Sequence, residues 1–276
     1  MAITVRTNAS AGRALTDLNK TSRSLSRSFE RISSGLRISR AADDAAGLGV
    51  AENLRAQQTS AVVAARNTND GISAIAVAEG ATNEVSNLLV RMRELAVQSS
   101  SETLGATERG YAQTEFASLQ DEANRIANVT EFNGTKLTDG STATLNIQVG
   151  VNSTANDQIA VGFTSLALSD LNTNLSTRTI STAANALTAL DDIDSAISAV
   201  NSARASYGSS ENRLNSALNN IETFGQTVQA AESQIRDADF GAETAALSNK
   251  QILQQAGVSI LGQAKQINQA ALSLLQ

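Results

Sequence analysis

The amino-acid sequence predicts a mainly α fold: a long antiparallel helical bundle or coiled coil with one small β-hairpin region. Apolar residues recur with heptad spacing near both ends of the chain, whereas one short central stretch alternates apolar and polar residues. The 276 residues include no proline, the strongest breaker of helix interiors. The apolar residues are mostly Ala, Leu, Val and Ile, and only 3% of all residues are aromatic, which favours closely approaching helices.

The first helix is predicted to begin near residue 15 and to carry one apolar stripe. The members of the stripe step alternately by three and four residues and include one serine: Leu15, Leu18, Ser22, Leu25, Phe29, Ile32 and Leu36. Gly35 is expected to interrupt this helix, because glycine costs about 1 kcal/mol relative to alanine in a helix interior. Asp43 and Asp44 are typical of the next helix start, where carboxylates meet free N–H groups.

Two further helices are predicted between residues 40 and 130. The first runs to about residue 100, and its buried stripe comprises Ala78, Ala81, Val85, Leu88, Met92 and Leu95. The polar, glycine-containing stretch 99–110 is typical of a turn. The next helix places one apolar face around Phe116, Leu119, Ala123 and Ile126.

In the middle of the chain, apolar residues recur at every second position instead of with helical spacing. Residues 130–141 contain two glycines and are predicted to form a loop. The alternating apolar residues that follow predict a β-hairpin around a polar loop at 150–157; they are Leu145, Ile147 and Val149, then Ile159, Val161 and Phe163. Residues 164–182 are weakly patterned, and no element is predicted there.

A second long helix is predicted for about 183–233, and acidic residues with Gly241 break it within 236–244. The last segment repeats the heptad pattern with Leu253, Ala256, Ile260, Ala264, Ile267, Ala271 and Leu274. An isolated terminal helix cannot bury such a stripe by itself, so it must pair with the other end, the body or another copy. We therefore expect coiled-coil ends at 1–40 and 236–276, and a helical body formed by 41–176 and the long helix 177–235.

The composition excludes several kinds of chemistry. The chain has no cysteine and no histidine, which removes disulfides, thiolate metal sites and the commonest proton shuttle. The paired carboxylates Asp43–Asp44 and Asp237/Asp239 lie next to helix breaks, where capping is their usual role. No catalytic, cofactor-binding or metal-binding site is predicted, and the protein is expected not to be an enzyme.

The charge is unevenly distributed along the chain. The net charge is −6, but residues 1–40 hold eight Lys and Arg against two Asp and Glu. No aromatic platform accompanies these cations, so we expect them to meet acidic neighbours in an assembly rather than nucleic acid. No run of 18 apolar residues predicts a membrane span, and the N-terminal stretch lacks the apolar core of a cleaved secretory signal.

Four separated motifs closely resemble bacterial flagellin, in that family's order. They are "ERISSGLRISRAADDAAGLGVAENLRAQ" at 30–57, "AARNTNDGISAIAVAEGATNEVSNLLVRMRELAVQ" at 64–98, "EFNGTKL" at 131–137, and 231–276, which contains "QILQQAGVSILGQA" and "LSLL". The resemblance implies a minimal flagellin without variable outer domains, whose place is taken by residues 164–182. The sequence departs from the family pattern at Asn268, where most flagellins carry proline.

The resemblance implies a structural subunit that self-assembles into the extracellular flagellar filament for motility, with terminal segments that order on assembly. Packing within the filament core is then expected from the two terminal stripes: Leu15, Leu18, Leu25, Phe29, Ile32, Leu253, Ile260, Ile267, Leu274 and Leu275. The implied partners are other copies of the chain, a flagellar export chaperone at the C-terminal segment, and the filament cap and hook-junction proteins.

The resemblance further implies that the monomer is recognised by Toll-like receptor 5, the vertebrate receptor that senses flagellin. The residues that match the family's receptor patch are Arg91, Leu95 and Glu122, which also match contacts between stacked subunits. Two other functions remain open at this stage: a hook–filament junction protein of the same architecture, and a secreted helical adhesin or signalling ligand that acts as a monomer. Pattern alone also leaves open whether the terminal stripes pack within one chain or between chains.

Overall fold

The computed structural model describes residues 8–273, with side chains up to residue 264 and that of Gln266. The chain is mainly α-helical, as predicted. The helices are α1 (Ala9–Ser34), α2 (Ala45–Ser100), α3 (Ala106–Val129), α4 (Leu168–Leu171), α5 (Ala183–Arg236) and α6 (Phe240–Ser273). The strands are β1 (Glu131–Phe132), β2 (Thr135–Lys136), β3 (Thr144–Gln148) and β4 (Gln158–Gly162), and short 3-10 turns lie at Ala155–Asp157 and Leu175–Thr177.

The chain divides into two compact units. The terminal unit contains the residues up to 56 and those from 227 onward, and the central unit contains residues 57–226. The boundaries fall within α2 and α5, so both long helices contribute to both units. The four-segment division expected from the sequence stays a prediction.

In the terminal unit, α1 and α6 pack as an antiparallel pair. The side-chain amide of Asn8, at the start of α1, donates to the main-chain oxygen of Ala264 at 3.0 Å. Ser28, near the other end of α1, donates to the carboxylate of Glu243, near the start of α6. The predicted antiparallel association of the chain's two ends is therefore present within one chain.

Gly35 ends α1 as the sequence predicts, in a left-handed conformation with φ of 73° that favours glycine. The segment after it lies beside the break between α5 and α6. Main-chain hydrogen bonds join the two interruptions, from Arg37 N to Arg236 O at 2.7 Å and from Ala238 N to Gly35 O at 2.9 Å. Asp44 then caps α2, since its carboxylate accepts the N–H of Gly47 at 2.8 Å.

The central unit is a three-helix core formed by α2, α3 and α5. Its buried side chains include Ile193 and Val200 of α5 together with residues predicted on the seams of α2 and α3: Val85, Met92, Leu95, Phe116 and Ala123. Small residues such as Ala96 and Ala196 also lie at 0% exposure, so the helices approach closely.

The predicted hairpin is confirmed by the antiparallel pair β3 and β4, in which Leu145 faces Val161 and Ile147 faces Ile159. Its apolar face packs on α2 and α5, beside buried Ile75 and Tyr207. A second, much smaller hairpin occupies the region predicted as a loop. There β1 and β2 pair around Asn133 and Gly134, whose φ values of 49° and 77° suit a tight two-residue turn.

The weakly patterned residues 164–182 form an ordered strap over the core. Leu166, Leu168, Leu175 and Ile180 are fully buried there, although only two short helical turns are present. A single-turn helix shows no period that a sequence pattern can reveal. The strap was therefore not predicted from the sequence.

Candidate assembly surfaces

The large side chains of the apolar stripe predicted on α6 are exposed and do not pack on α1. Leu253 and Ile260 are 60% and 56% exposed, and their neighbours Ile252 and Val258 are equally open. The face of α6 that meets α1 lies beside this stripe, rotated from it by about a sixth of a turn, and carries Lys250, Gln254, Gly257, Leu261 and Ala264. The intramolecular pair with α1 therefore uses mostly small and polar residues of α6, and the packing of Leu253 and Ile260 in a filament stays a prediction.

Some members of the predicted stripe of α1 are buried or half-buried, and others are exposed. Leu25 is buried, and Leu18 and Ile32 are half-buried. Leu15 and Phe29 are 49% and 51% exposed. Of the predicted C-terminal contributors, the side chains of Ile267, Leu274 and Leu275 lie outside the described residues, so only Leu253 and Ile260 can be placed.

Two faces of the terminal unit thus carry large apolar side chains without a partner in the chain's described part. Removing a Leu, Ile or Phe side chain from water contributes about 1.5–3 kcal/mol when it is fully buried. Groups of large exposed apolar side chains are typical of interaction sites. The geometry is suited to association with further protein helices.

A buried polar cluster lies inside the α1–α6 contact. It consists of Ser28, Glu243 and Lys250, and Ser28 is only 1% exposed. The Ser28 hydroxyl donates to Glu243 Oε1 at 2.5 Å, and Lys250 Nζ donates to Ser28 Oγ at 2.6 Å. The guanidinium of Arg31 lies 3.7 Å from the second carboxylate oxygen of Glu243. The sequence pattern gave no sign of this cluster, since a serine in a heptad segment is a common surface residue.

The structure separates the three residues predicted to form a receptor or axial contact. Arg91 is exposed, and its guanidinium donates to Glu94 at 2.8 Å and to Glu115 of α3 at 2.7 and 2.9 Å. These two carboxylates raise the pKa of Arg91, the hydrogen bond to Glu94 contributing most. Arg91 therefore stays charged and held in place on an open surface.

Leu95 and Glu122 have different surroundings from Arg91. Leu95 is 2% exposed and packs in the central core, so almost none of its side chain is accessible to a partner. Glu122 pairs with Arg125, whose hydrogen bond lowers the pKa of the Glu122 carboxyl. The glutamate beside Arg91 is Glu115, two helical turns or about 10 Å before Glu122 along α3.

A ladder of amide side chains on α3 holds the strap, and sequence reasoning missed it. Buried Gln120 donates to Leu175 O at 2.7 Å and to Arg178 O at 3.1 Å. Two other amides accept main-chain N–H groups of the strap: Asn124 from Leu168 at 3.0 Å and Gln113 from Ile180 at 2.5 Å. Their spacing of seven and four residues along one helix face is the only sequence signal, and polar residues at that spacing are normally solvated.

Within residues 8–273, no helix is long and apolar enough to cross a membrane. The same described part of the chain brings together no group of three or more Asp or Glu side chains placed to hold a metal ion.

Comparison with known proteins agrees with this architecture. Residues 5–143 match the family model of the bacterial flagellin N-terminal helical region, and residues 190–275 match that of the C-terminal helical region. A flagellin of Halalkalibacterium halodurans is 43% identical over 250 residues, covering 91% of each chain. Flagellin A of Vibrio anguillarum is 32% identical over 381 aligned positions that span both chains completely.

Solved structures show the same relationship. Bacillus cereus flagellin is 32% identical, with a TM-score of 0.51 over 56% of this chain and 88% of that one. A protein described as a putative flagellar hook-associated protein from Vibrio parahaemolyticus shares the fold at 16% identity, with a TM-score of 0.59 over 71% of this chain.

The helical unit with exposed terminal stripes is thus that of a filament-forming structural protein. The chain belongs to the bacterial flagellin family. It is a self-polymerising structural subunit of the flagellar filament and lacks a large central domain, since the 276 residues align with 381 positions in the longer Vibrio relative.

Proposed function

We propose that the two terminal segments, 1–40 and 236–276, form the inner layer of the filament, and that 41–176 with 177–235 form the layer around it. The observation that carries the proposal is the exposure of Leu253 and Ile260 on α6, away from α1. No residue within 8–264 covers these side chains, so we expect a neighbouring subunit to bury them. Leu15 and Phe29 offer a matching apolar face on α1.

Assembly tests this proposal directly. The change Leu253→Ser with Ile260→Ser removes two apolar contacts per subunit, and we expect loss of the tubes that the unmodified chain forms in electron micrographs. The matched control is Gln251→Ser with Gln255→Ser, which alters two exposed polar residues of the same helix and should leave tubes intact. Normal tubes from the first variant would contradict the proposed packing.

Tube formation and antibody labelling of flagella together separate the two alternative functions. A monomeric adhesin or signalling ligand would form no tubes under any condition. A hook–filament junction protein would appear at one point of the flagellum, whereas a filament subunit is labelled along its whole length by a specific antibody.

We also propose partners for the exposed α6 stripe before and after export. An export chaperone would cover Leu253 and Ile260 in the cell, because exposed apolar helix faces otherwise associate. The filament cap and the hook-junction proteins would meet the same stripe at the two ends of the polymer. The functional location is then outside the cell, in a structural and not a catalytic role.

The monomer is further proposed as a ligand of Toll-like receptor 5. The accessible side chains of the expected patch are Arg91, held by Glu94 and Glu115, and Glu122, further along α3, whereas Leu95 is buried. Arg91→Ala should reduce the response of receptor-bearing reporter cells to purified monomer. Arg66→Ala, at an exposed arginine of α2 outside the patch, is the control. An unchanged response to the Arg91 variant would remove this patch from the proposal.

A further inference from the structure

The outer side of α1, turned away from α6, carries large apolar side chains and cations on neighbouring edges. Leu15 and Phe29 are about half exposed along one edge. At about 100° per residue, Arg23 lies about 80° around the helix from Leu15, and Arg27 about 120°. The strip between the edges is mostly small and polar and includes Asn19, Ser22 and Ser26. One flat surface laid against this side of α1 would therefore touch apolar side chains and cations together.

Positive charge on this outer side is largely uncompensated. The exposed cations of α1 on it are Arg13, Lys20, Arg23 and Arg27. Lys20 lies 3.6 Å from Asp17, and both side chains are mostly exposed to water. Glu30, the other acidic residue of α1, pairs with Arg40. Because α6 holds one acidic residue, Glu243, at its buried contact with α1, the outer side keeps an excess of positive charge.

A lipid bilayer with anionic headgroups matches both edges at once. Basic helices with one apolar side lie in the plane of such a surface, where apolar side chains enter the acyl boundary and cations meet the headgroups. A purely acidic partner would satisfy Arg23 and Arg27 but leave Leu15 and Phe29 in water. Single-stranded nucleic acid is bound through aromatic side chains interleaved with cations, and no aromatic side chain lies on the cationic edge.

We propose that the unassembled monomer binds the surface of anionic lipid bilayers through the outer side of α1, with Arg23 and Arg27 at the headgroups and Leu15 and Phe29 at the acyl boundary. The partner is a bilayer and not a free anion, because a free phosphate offers nothing to the apolar edge. This activity is additional to filament assembly and is measured on the monomer. A chain that binds vesicles but forms no tubes would contradict the proposed filament packing alone.

Flotation of the full-length, unassembled chain with lipid vesicles tests the proposal. Vesicles of equal parts phosphatidylglycerol and phosphatidylcholine are compared with vesicles of phosphatidylcholine alone. We expect binding to the anionic vesicles to be tighter by at least about tenfold, since each cation near such a surface strengthens binding by about fivefold. Binding should weaken as salt is added, because salt screens the attraction between the cations and the headgroups.

Variants of the cationic edge test the role of charge. Arg23→Gln with Arg27→Gln should lower the affinity for anionic vesicles by at least about tenfold. Arg23→Lys with Arg27→Lys keeps both charges and should bind like the unmodified chain. The matched control, Arg66→Gln with Arg213→Gln, removes two exposed arginines of the central unit and should leave binding unchanged. Circular dichroism of each variant checks that the helices are retained.

The apolar edge separates a lipid surface from an acidic protein as the partner. Leu15→Ser with Phe29→Ser should lower the affinity for anionic vesicles by at least about tenfold and leave any binding to soluble polyglutamate unchanged. Vesicle binding that this variant retains in full would overturn the proposal in favour of a purely acidic partner.

Three other results would also overturn the proposal: no binding to anionic vesicles, equal binding to both kinds of vesicle, or undiminished binding by R23Q/R27Q. If a variant loses its helical circular dichroism, the unmodified chain decides through its salt dependence. Binding to anionic vesicles that falls as salt is added supports the proposal, and binding that salt leaves unchanged overturns it.

Discussion

The side-chain amide of Gln120 donates a 2.7 Å hydrogen bond to the main-chain oxygen of Leu175 and so ties α3 to the strap. A second hydrogen bond reaches Arg178 O. Gln120→Leu leaves both carbonyls without this donor, and we expect the free energy of unfolding to fall by about 1–3 kcal/mol in urea titration. Gln98→Leu, at an exposed position of α2, is the control and should change stability little. Equal stability of both variants would show that water replaces the buried amide.

Two glycines of α2 should respond to alanine in opposite directions. Gly80 has open space around the position of a Cβ atom, so Gly80→Ala should raise the free energy of unfolding by about 0.5–1 kcal/mol through higher helix propensity. At Gly71 the new methyl group would come within 3.0 Å of Ile147 Cγ1 in the hairpin. Gly71→Ala should therefore lower stability by about 1–3 kcal/mol, measured by thermal unfolding. A gain at both sites would mean that the hairpin yields without cost.

The ion pair of Arg93 and Asp194, which joins α2 to α5, should contribute to stability at neutral pH and not in strong acid. Arg93 donates to the Asp194 carboxylate at 2.7 and 3.3 Å and lowers its pKa. A folded-state pKa below the unfolded value gives stability that is present above the unfolded value, near 3.9 for aspartate, and is lost as pH falls through the folded value.

A double-mutant cycle with Arg93→Gln and Asp194→Asn measures this contribution. Both side chains are about half exposed, so we expect a coupling energy below about 1 kcal/mol at neutral pH, which declines with acid and with salt. A coupling that is unchanged at pH values below both pKa values would contradict the assignment.

Tyr207 should limit stability in alkali. It is fully buried against Phe163, and burial raises the pKa of its phenol above the usual value of about 10. The folded state then holds the proton more tightly, so stability is lost as pH rises from the unfolded pKa towards the folded one.

The chain has two tyrosines, and in a Tyr111→Phe background phenolate absorbance reports Tyr207 alone. We expect that signal to appear together with loss of helical circular dichroism. Ionisation of Tyr207 in a fully helical chain would contradict the predicted link between its burial and alkaline unfolding.

The fold could be predicted from sequence wherever one side of an element faces the core. The seams through Val85 and Met92 on α2 and the alternation around Ile147 in the hairpin have the period of their elements, and both are buried as expected. Leu253 and Ile260 show the same heptad period but are exposed, because a period tells which residues share a face and not what covers it.

The strap and the Ser28 cluster could not be predicted from the sequence, because their contacts join residues that are far apart in the chain. The strap's order comes from amides of α3 that lie some fifty residues away in the sequence, and Ser28 meets partners more than two hundred residues away. No local pattern encodes such pairings. The contacts of Arg91 illustrate the same limit, since its partner on α3 is Glu115, which no pattern in the sequence singled out.

The joint between residues 35–38 and 235–238 is held mainly by backbone atoms, through the bonds of Arg37 N and Ala238 N. Most side chains of this joint can therefore be substituted without loss of the main-chain hydrogen bonds that hold it. Gly35 is the exception, because any residue with a Cβ atom would have to adopt its positive φ. Among relatives whose surfaces differ, we therefore expect glycine at position 35 to vary less than the other residues of this joint.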